Sequence, residues 1–225
     1  MDRFESNKAL DCEYRSRRNY VENGEHIVAD YLDKNFYPLW STSVTRIPHD
    51  DPRQIAGLDL TVQCDGVEYT IDEKASVRWI GKHLNSFSQE ISSVNAQGYE
   101  YDGWLLDFNS VSDWLLEVFI DEAKNDANTL TGPDDITDCT AVLIRKTDLW
   151  RWLKEHDISS TKLRNIAAEM RRDNTESRWH NGYKIVLNHK IREKVANILI
   201  PRDELISEIA TMAIRLHENE IEKLK

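Results

Sequence analysis

The chain is poor in cysteine and has none of the usual metal-binding spacings. Its 225 residues contain three cysteines, Cys12, Cys64 and Cys139, which lie far apart. Because no CxxC or HExxH motif is present, the common zinc sites are not expected. An odd number of widely spaced cysteines also argues against a disulfide framework and favours a reducing, cytoplasmic compartment.

Long apolar runs are absent as well. A transmembrane helix needs about 20 consecutive apolar residues, and no run in the sequence approaches that length. The opening residues, MDRFESNKAL, lack the apolar stretch of a signal peptide. We therefore expect no membrane partner, and the length of the chain suits a single domain.

Positive charge is scarce overall but unevenly distributed. The formal net charge of −11 argues against a protein that coats nucleic acid nonspecifically. Residues 145–202, however, hold 14 Lys and Arg against 7 Asp and Glu, a net charge of +7. This basic part is compatible with a local phosphate-contacting surface, although solvated helix faces explain any single residue equally well.

The most informative stretch is GLDLTVQCDGVEYTIDEKAS, residues 57–76. Apolar and polar residues alternate on both sides of Asp65-Gly66, which predicts two strands joined by a type I′ turn. A two-residue turn sets Cys64 opposite Val67. The same register sets Leu60 opposite Ile71 and Val62 opposite Tyr69 on one apolar face. One residue further along each strand, it sets Asp59 opposite Asp72.

The predicted register places three charged residues on the other face of this hairpin. Asp59 lies directly opposite Asp72, with Lys74 two residues further along, and opposed like charges are destabilising. A hard cation such as Mg²⁺ would relieve the repulsion, and Lys74 would orient a water beside it. A solvated polar face, with Lys74 softening the repulsion, is the alternative interpretation.

A further carboxylate comes from an upstream helix. The segment NYVENGEHIVADYLDK, residues 19–34, carries Val21, Val28 and Leu32 in a narrow apolar stripe. Glu25 falls inside that stripe, where an unpaired carboxylate is rarely found. Glu25 therefore either reaches a buried cation or site, or caps a helix that begins there.

The rest of the chain predicts further strands and helices. We expect an extended segment at 36–47, strands at 103–108, 114–120, 140–146, 182–188 and 196–200, and helices at 85–97, 147–157, 159–174 and 203–225. Residues 48–56 and 121–139 are typical of loops. Six polar residues are candidate substrate contacts: Arg78, Lys82, His83, Gln89, Arg171 and Arg172.

The order of these elements resembles the PD-(D/E)XK nuclease superfamily, whose members share a restriction-endonuclease-like fold. A helix with a Glu is followed by a strand Asp, a hairpin and an Asp-x-Lys sequence, and NGEHIVADYLDKNFYPLW is similar to the opening helix of the Holliday-junction-resolvase branch. The resemblance covers about residues 19–120. One departure is Leu58, which stands where the motif has Pro.

The resemblance implies a role for each matching residue. Glu25 corresponds to the helix Glu, Asp59 to the first Asp, Asp72 to the (D/E) position and Lys74 to the Lys. Together these four would form the catalytic set. Asp59, Asp72, Glu25 and the backbone carbonyl of Glu73 would bind Mg²⁺, with Mn²⁺ as a substitute.

The resemblance also implies a fold and an activity. The expected fold is α/β: a central mixed β-sheet flanked by helices, with a core at about 19–120 and C-terminal strands and helices at about 140–225 in one domain. The expected activity is Mg²⁺-dependent phosphodiester hydrolysis, favouring an endonuclease acting on DNA. A homodimer is compatible with the sequence. The alternative is a non-catalytic member of the same fold that binds nucleic acid or a protein.

Overall fold

The computed structural model describes residues 21–95, 97–124, 130–188, 193–217 and 220–225. Cys12 and the first two residues of the helix predicted at 19–34 lie outside these ranges. None of the helices in the described ranges has the length and apolar character needed to span a bilayer.

The described residues contain five α-helices and twelve strands, with three short 3₁₀ helices at Tyr37–Leu39, Val77–Trp79 and Pro133–Asp135. The helices are α1 (residues 21–35), α2 (Pro52–Ile55), α3 (Lys146–Glu155), α4 (Ser160–Asp173) and α5 (Arg202–Glu204), the last continuing into a π-helical turn, Leu205–Ile209. The strands are β1 (Ser43–Arg46), β2 (Leu60–Cys64), β3 (Val67–Ala75), β4 (Ser86–Val94), β5 (Glu100–Asp102), β6 (Trp114–Ala123), β7 (Ile136–Arg145), β8 (Ser177–His180), β9 (Tyr183–Leu187), β10 (Ala196–Pro201), β11 (Met212–His217) and β12 (Glu220–Lys223).

The predicted hairpin is confirmed with its register. β2 and β3 pair antiparallel with Leu60 opposite Ile71, Val62 opposite Tyr69 and Cys64 opposite Val67. The turn residues have φ angles of 51° (Asp65) and 78° (Gly66), as a type I′ turn requires. The local turn chemistry therefore sets which side chains of β3 share a face.

The strands form two sheets, and the central one is mixed. It has seven strands in the order β1-β2-β3-β6-β7-β11-β12, in which β3 and β6 run parallel and every other neighbouring pair runs antiparallel. The second sheet has the order β5-β4-β10-β9-β8. The predicted α/β class with a central mixed sheet and helices is thus confirmed.

Two apolar cores cover the two faces of the central sheet. On one face α1 packs Val28 and Leu32 against Leu60 and Ile71. On the other, β6 residues such as Phe119 meet the second sheet together with α3 and α4. Because each strand presents alternate residues to the two cores, β3 delivers side chains to both sides.

The helix predicted at 85–97 is wrong: β4 occupies Ser86–Val94. Phe87 and Ile91 are buried, as a helical stripe also predicts, but Gln89 between them is equally buried. The sequence hides the strand because the middle residue of its inward face is polar, so the alternation does not appear as a hydrophobic pattern.

The long helix predicted at 203–225 is also wrong. Helical structure ends at Ile209, and Met212–His217 and Glu220–Lys223 form β11 and β12, which extend the central sheet. Leu205, Ile209, Met212 and Leu216 fit helical spacing, but pairing with β7 satisfies the backbone groups of β11. Tertiary pairing has overridden a local pattern here.

Smaller differences concern the connections. Residues 103–108 form a turn rather than a strand, with the N–H groups of Leu106 and Asp107 donating to the carbonyl of Gly103. Leu105 and Leu106 are nevertheless buried. The predicted loop at 48–56 contains α2, and the ends of the predicted loop at 121–139 belong to β6 and β7.

Candidate active site

Asp72 and Lys74 share one face of β3, as the hairpin register predicts. Ile71 and Ala75 pack into the core on the α1 side, so the intervening Asp72 and Lys74 project to the opposite side. Asp72 is only 2% exposed, and the Lys74 ammonium donates a hydrogen bond to its Oδ1. A buried carboxylate is thereby paired with a lysine two residues further along the strand.

Asp59 lies where β2 begins and fixes the edge of β3. Its backbone N–H donates to the carbonyl of Ile71 over 3.0 Å, and its Oδ2 accepts from the N–H of Glu73 over 2.7 Å. Strand pairing ends at Leu60, so Asp59 does not pair with Asp72 as the extended register predicts, and its side chain binds the backbone of β3 instead. The carbonyl of Glu73 points to the same side of β3 as its N–H group. The carbonyl therefore faces the site next to Asp59.

The side chain of Glu73 is occupied elsewhere. It accepts hydrogen bonds from the Tyr37 hydroxyl and from Arg46, whose Nη1 lies 2.7 Å from Oε2. Burial raises the pKa of the Glu73 carboxyl, and Arg46 opposes this shift. Glu73 can therefore contribute to the site through its backbone carbonyl, as the resemblance implies, while its carboxylate holds the α1 side of the sheet together.

Glu25 approaches from α1, but at the border of the apolar stripe rather than inside it. It is exposed, and the neighbouring Gly24 takes the buried position. A Cβ on Gly24 would lie 3.2 Å from the Cβ of Val77, so glycine lets α1 come close to the turn after β3. Glu25 consequently lines a cavity of about 300 Å³ together with Glu22 and Asp59.

The charges of Glu25, Asp59, Asp72 and Lys74 influence one another. Glu25 is exposed as a residue, but partial desolvation of its carboxyl in the cavity raises the pKa; Lys74 opposes this shift, and Asp59 adds to it. Burial and Asp59 together raise the pKa of Asp72 to about 6 against the opposing effect of Lys74. Burial lowers the pKa of Lys74, but the carboxylates of Asp72, Asp59 and Glu25 outweigh it and the net shift is upward. Lys74 is thus the cation of a cluster with excess negative charge.

Lys146 is a residue of this site that sequence reasoning missed. It begins α3, is only 4% exposed, and donates to the hydroxyls of Ser110 over 2.6 Å and Ser112 over 2.7 Å. Its Nζ lies 4.0 Å from Oδ2 of Asp72. A single lysine between a strand and a helix carries no pattern, so only its position in the folded chain shows the contact.

Gly57 allows the loop that carries Ser110 and Ser112 to approach Asp72. Its φ angle of 78° favours glycine, and an added Cβ would lie 2.9 Å from Oγ of Ser110 and 3.7 Å from Oδ2 of Asp72. Asp72 is therefore enclosed by Lys74 on one side and, on the other, by Lys146 and the loop that carries Ser110.

The donor atoms at the site fit a hard divalent cation in type. Asp59, Asp72, Glu25 and the carbonyl of Glu73 all offer oxygen, which Mg²⁺ prefers. Among the described residues, the carboxylates of Glu25, Asp59 and Asp72 do not all lie within 4.8 Å of one another. Gathering them round an ion therefore requires side-chain rotation.

Two of the predicted substrate contacts remain available at the surface. Arg78 and Lys82 are exposed in the turn that directly follows β3, beside Trp79, which is 57% exposed. His83 lies further along this turn, with Nδ1 3.9 Å from Oδ1 of Asp121, and lines a separate cavity with Arg202. His83 is therefore directed away from Asp72 and Lys74.

The other predicted substrate contacts are engaged within the protein. Gln89 is fully buried in β4 and donates to Glu117, so a substrate at the surface does not reach it. All three guanidinium nitrogens of Arg171 donate to groups of this chain, among them Lys194 and Ser92. Arg172 is exposed but pairs with Asp173 over 3.2 Å at the end of α4. We withdraw Gln89 and Arg171 as substrate contacts.

Comparisons with known proteins give no relative. Neither a scan against protein-family models nor searches of curated proteins and of solved structures found a match for this chain. The likeness to PD-(D/E)XK nucleases consequently rests on the four charged residues and on the helix and hairpin that carry them.

Proposed function

We propose that this protein is a Mg²⁺-dependent nuclease that hydrolyses phosphodiester bonds, with DNA as the favoured substrate. The observation that carries the proposal is the convergence of charge on Lys74. Its ammonium contacts Asp72 and interacts with Asp59 and Glu25, which come from the start of β2 and from α1. Three carboxylates that interact with one lysine near the end of β3 suit metal-assisted hydrolysis.

Each residue has a role in this proposal. Asp59 and Asp72 would hold Mg²⁺ with help from Glu25 and the Glu73 carbonyl. When bound, the ion would lower the pKa of a water and neutralise charge on the scissile phosphate. Arg78 and Lys82 would contact flanking phosphates from the turn beyond β3.

Lys74 would act as a cation rather than as a general base. The raised pKa of Lys74 keeps its ammonium protonated at neutral pH, so it has no lone pair with which to accept a proton. A compact ammonium with three donors can instead orient the attacking water and stabilise negative charge on the phosphate. Lys146, held by two serines, would position Asp72.

A second candidate is a non-catalytic protein of the same architecture that binds nucleic acid or a protein partner. It is favoured by the ion pair between Lys74 and Asp72, which satisfies the buried carboxylate without a metal. The overall charge of −11 also favours it over a broad nucleic-acid surface. The two candidates differ in whether a divalent ion is needed for any activity.

A cleavage assay with matched variants tests the proposal. Purified protein should cleave DNA only with Mg²⁺ or Mn²⁺, and Asp72→Asn should bind Mn²⁺ at least about tenfold more weakly, because a ligand is lost. Glu68→Gln, on the exposed end of the same strand, is the control and should behave as wild type. Single- and double-stranded DNA and RNA should be compared. No cleavage of any of them with either ion, or equal Mn²⁺ binding by Asp72→Asn, would favour the binding protein.

Glu25 allows a second test within the same cavity. Glu25→Gln should slow cleavage by roughly tenfold, because the ion loses a supporting carboxylate, and the melting temperature should change little. Glu22→Gln removes the same charge from the same cavity and should have a much smaller effect. Normal cleavage with a lowered melting temperature in Glu25→Gln would instead indicate a helix-capping role.

A further inference from the structure

Three metal-ligating side chains meet at the end of α3 that is remote from Lys146. His156 follows the last residue of α3, and Glu204 and Glu208 lie on α5 and the π-helical turn after it. One ligand atom from each lies within 4.8 Å of the other two. Ten residues of helix separate His156 from Lys146, a rise of about 15 Å, so this cluster is separate from the candidate active site.

Each of the three side chains is oriented by a donor or acceptor outside the cluster. Nδ1 of His156 lies 2.8 Å from the carbonyl of Trp152, which can only accept, so Nδ1 carries a proton and Nε2 is the nitrogen left for a metal ion. Oε2 of Glu204 accepts from the Tyr183 hydroxyl over 2.7 Å. Oε2 of Glu208 accepts from the indole N–H of Trp152 over 2.9 Å. Such outer hydrogen bonds are typical of metal ligands.

The cluster also has unbalanced charge. Within the described ranges, neither Glu204 nor Glu208 has a lysine or arginine nitrogen within 4.0 Å. Two carboxylates held together beside an imidazole form a site that a cation would stabilise.

We propose that His156, Glu204 and Glu208 form a binding site for a divalent transition-metal ion, with Zn²⁺ as the best match. One imidazole nitrogen and two carboxylate oxygens are ligands that Zn²⁺ accepts. Mg²⁺ and Ca²⁺ prefer oxygen ligands, so the imidazole makes the site a poorer match for them. Three protein ligands leave a coordination position for water. The ion would tie the segment Arg202–Ile209 to the end of α3, independently of the proposed nuclease activity.

The direct test is zinc binding by the full chain, measured by titration calorimetry in the Asp59→Asn, Asp72→Asn double variant. This variant lacks two of the proposed ligands of the candidate active site, so binding there is weakened, and dependence on His156 then identifies the second site. We expect the double variant to bind one equivalent of Zn²⁺. With Co²⁺ in place of Zn²⁺, we expect the visible absorption of a site that has a nitrogen ligand. Adding His156→Gln or Glu204→Gln should weaken zinc binding at least about tenfold.

A variant that leaves every ligand in place guards against misfolding. Tyr183→Phe removes only the hydroxyl that orients Glu204, and it should weaken zinc binding by roughly 10–100-fold. Circular dichroism without metal should match the parent protein. The site would be overturned if the Asp59→Asn, Asp72→Asn protein bound no zinc. It would also be overturned if adding His156→Gln or Tyr183→Phe left the zinc affinity of that protein unchanged. Neither result bears on Mg²⁺-dependent cleavage, which involves other residues.

Discussion

Replacing Lys74 by alanine is expected to slow the chemical step of cleavage by about 10²–10⁴-fold, the usual range for a residue that positions a reacting group. The ammonium of Lys74 donates to Asp72 and interacts with Asp59 and Glu25, where a metal-bound water and the scissile phosphate would meet. Alanine removes this cation. Single-turnover cleavage rates at saturating Mg²⁺ measure the chemical step apart from binding.

Metal binding gives a readout that a merely structural role would not produce. Removing Lys74 takes a competing cation from Asp72, so Mn²⁺ affinity should stay the same or rise while the cleavage rate falls. Lys74→Arg should recover little activity, since a planar guanidinium does not reproduce a compact ammonium. Lys162→Ala, exposed on α4 and given no role in the site, is the control for loss of one positive charge. Wild-type cleavage rates in Lys74→Ala would refute the catalytic role.

The hairpin could be predicted from the sequence because its signals are local. Asp65-Gly66 determines the turn, the turn determines the register, and the register determines that Asp72 and Lys74 share a face. Each step involves residues that are close in the chain. The position of Asp59 does not follow from this register: the pairing ends at Leu60, and Asp59 bonds to the backbone of Ile71 and Glu73 rather than pairing with Asp72.

The elements that were predicted wrongly depend on distant partners. β4 and β11 both satisfy helical spacing, and their strand conformation arises from pairing with β10 and β7. A backbone N–H or C=O that finds a neighbouring strand gains the same hydrogen bond as in a helix. Periodicity within one segment does not reveal which partner is present.

Lys146 illustrates the same limit at the candidate site. Its contacts with Ser110, Ser112 and Asp72 join three separate parts of the chain. Glu25 was predicted because α1 has a clear stripe, but its location at the border of that stripe depends on the close approach of Gly24 to Val77. The residues that reach the site could be anticipated, whereas the residues that hold them could not.

The second large expected effect is a pH dependence of stability, and it comes from a buried pair of side chains between the two sheets. Gln89 on β4 donates through Nε2 to Oε1 of Glu117 on β6, and both residues are fully buried. Oε1 of Gln89 and Oε2 of Glu117 have no hydrogen-bond partner among the described residues. A proton on Oε2 of Glu117 would match these two atoms, because a carboxylic acid can donate to the amide oxygen while it accepts from the amide N–H.

The environment of Glu117 favours that proton. Burial raises the pKa of Glu117 from 4.5 to about 8, and the hydrogen bond from Gln89 opposes the shift only in part. In the unfolded chain the group returns to its ordinary pKa. Between about pH 4.5 and pH 8 the folded protein therefore holds a proton that the unfolded chain has released.

We therefore expect the free energy of unfolding to fall as the pH rises from about 4.5 to about 8, by on the order of 3–5 kcal/mol from Glu117. Glu117→Gln should remove this dependence, because two glutamine amides can exchange both hydrogen bonds at any pH. The variant should resemble wild type at pH 5 and be more stable at pH 9, as urea unfolding would measure. Glu122→Gln, exposed on the same strand, is the matched control and should keep the wild-type pH profile. Parallel pH profiles for wild type and Glu117→Gln would show that Glu117 is ionised in the folded protein.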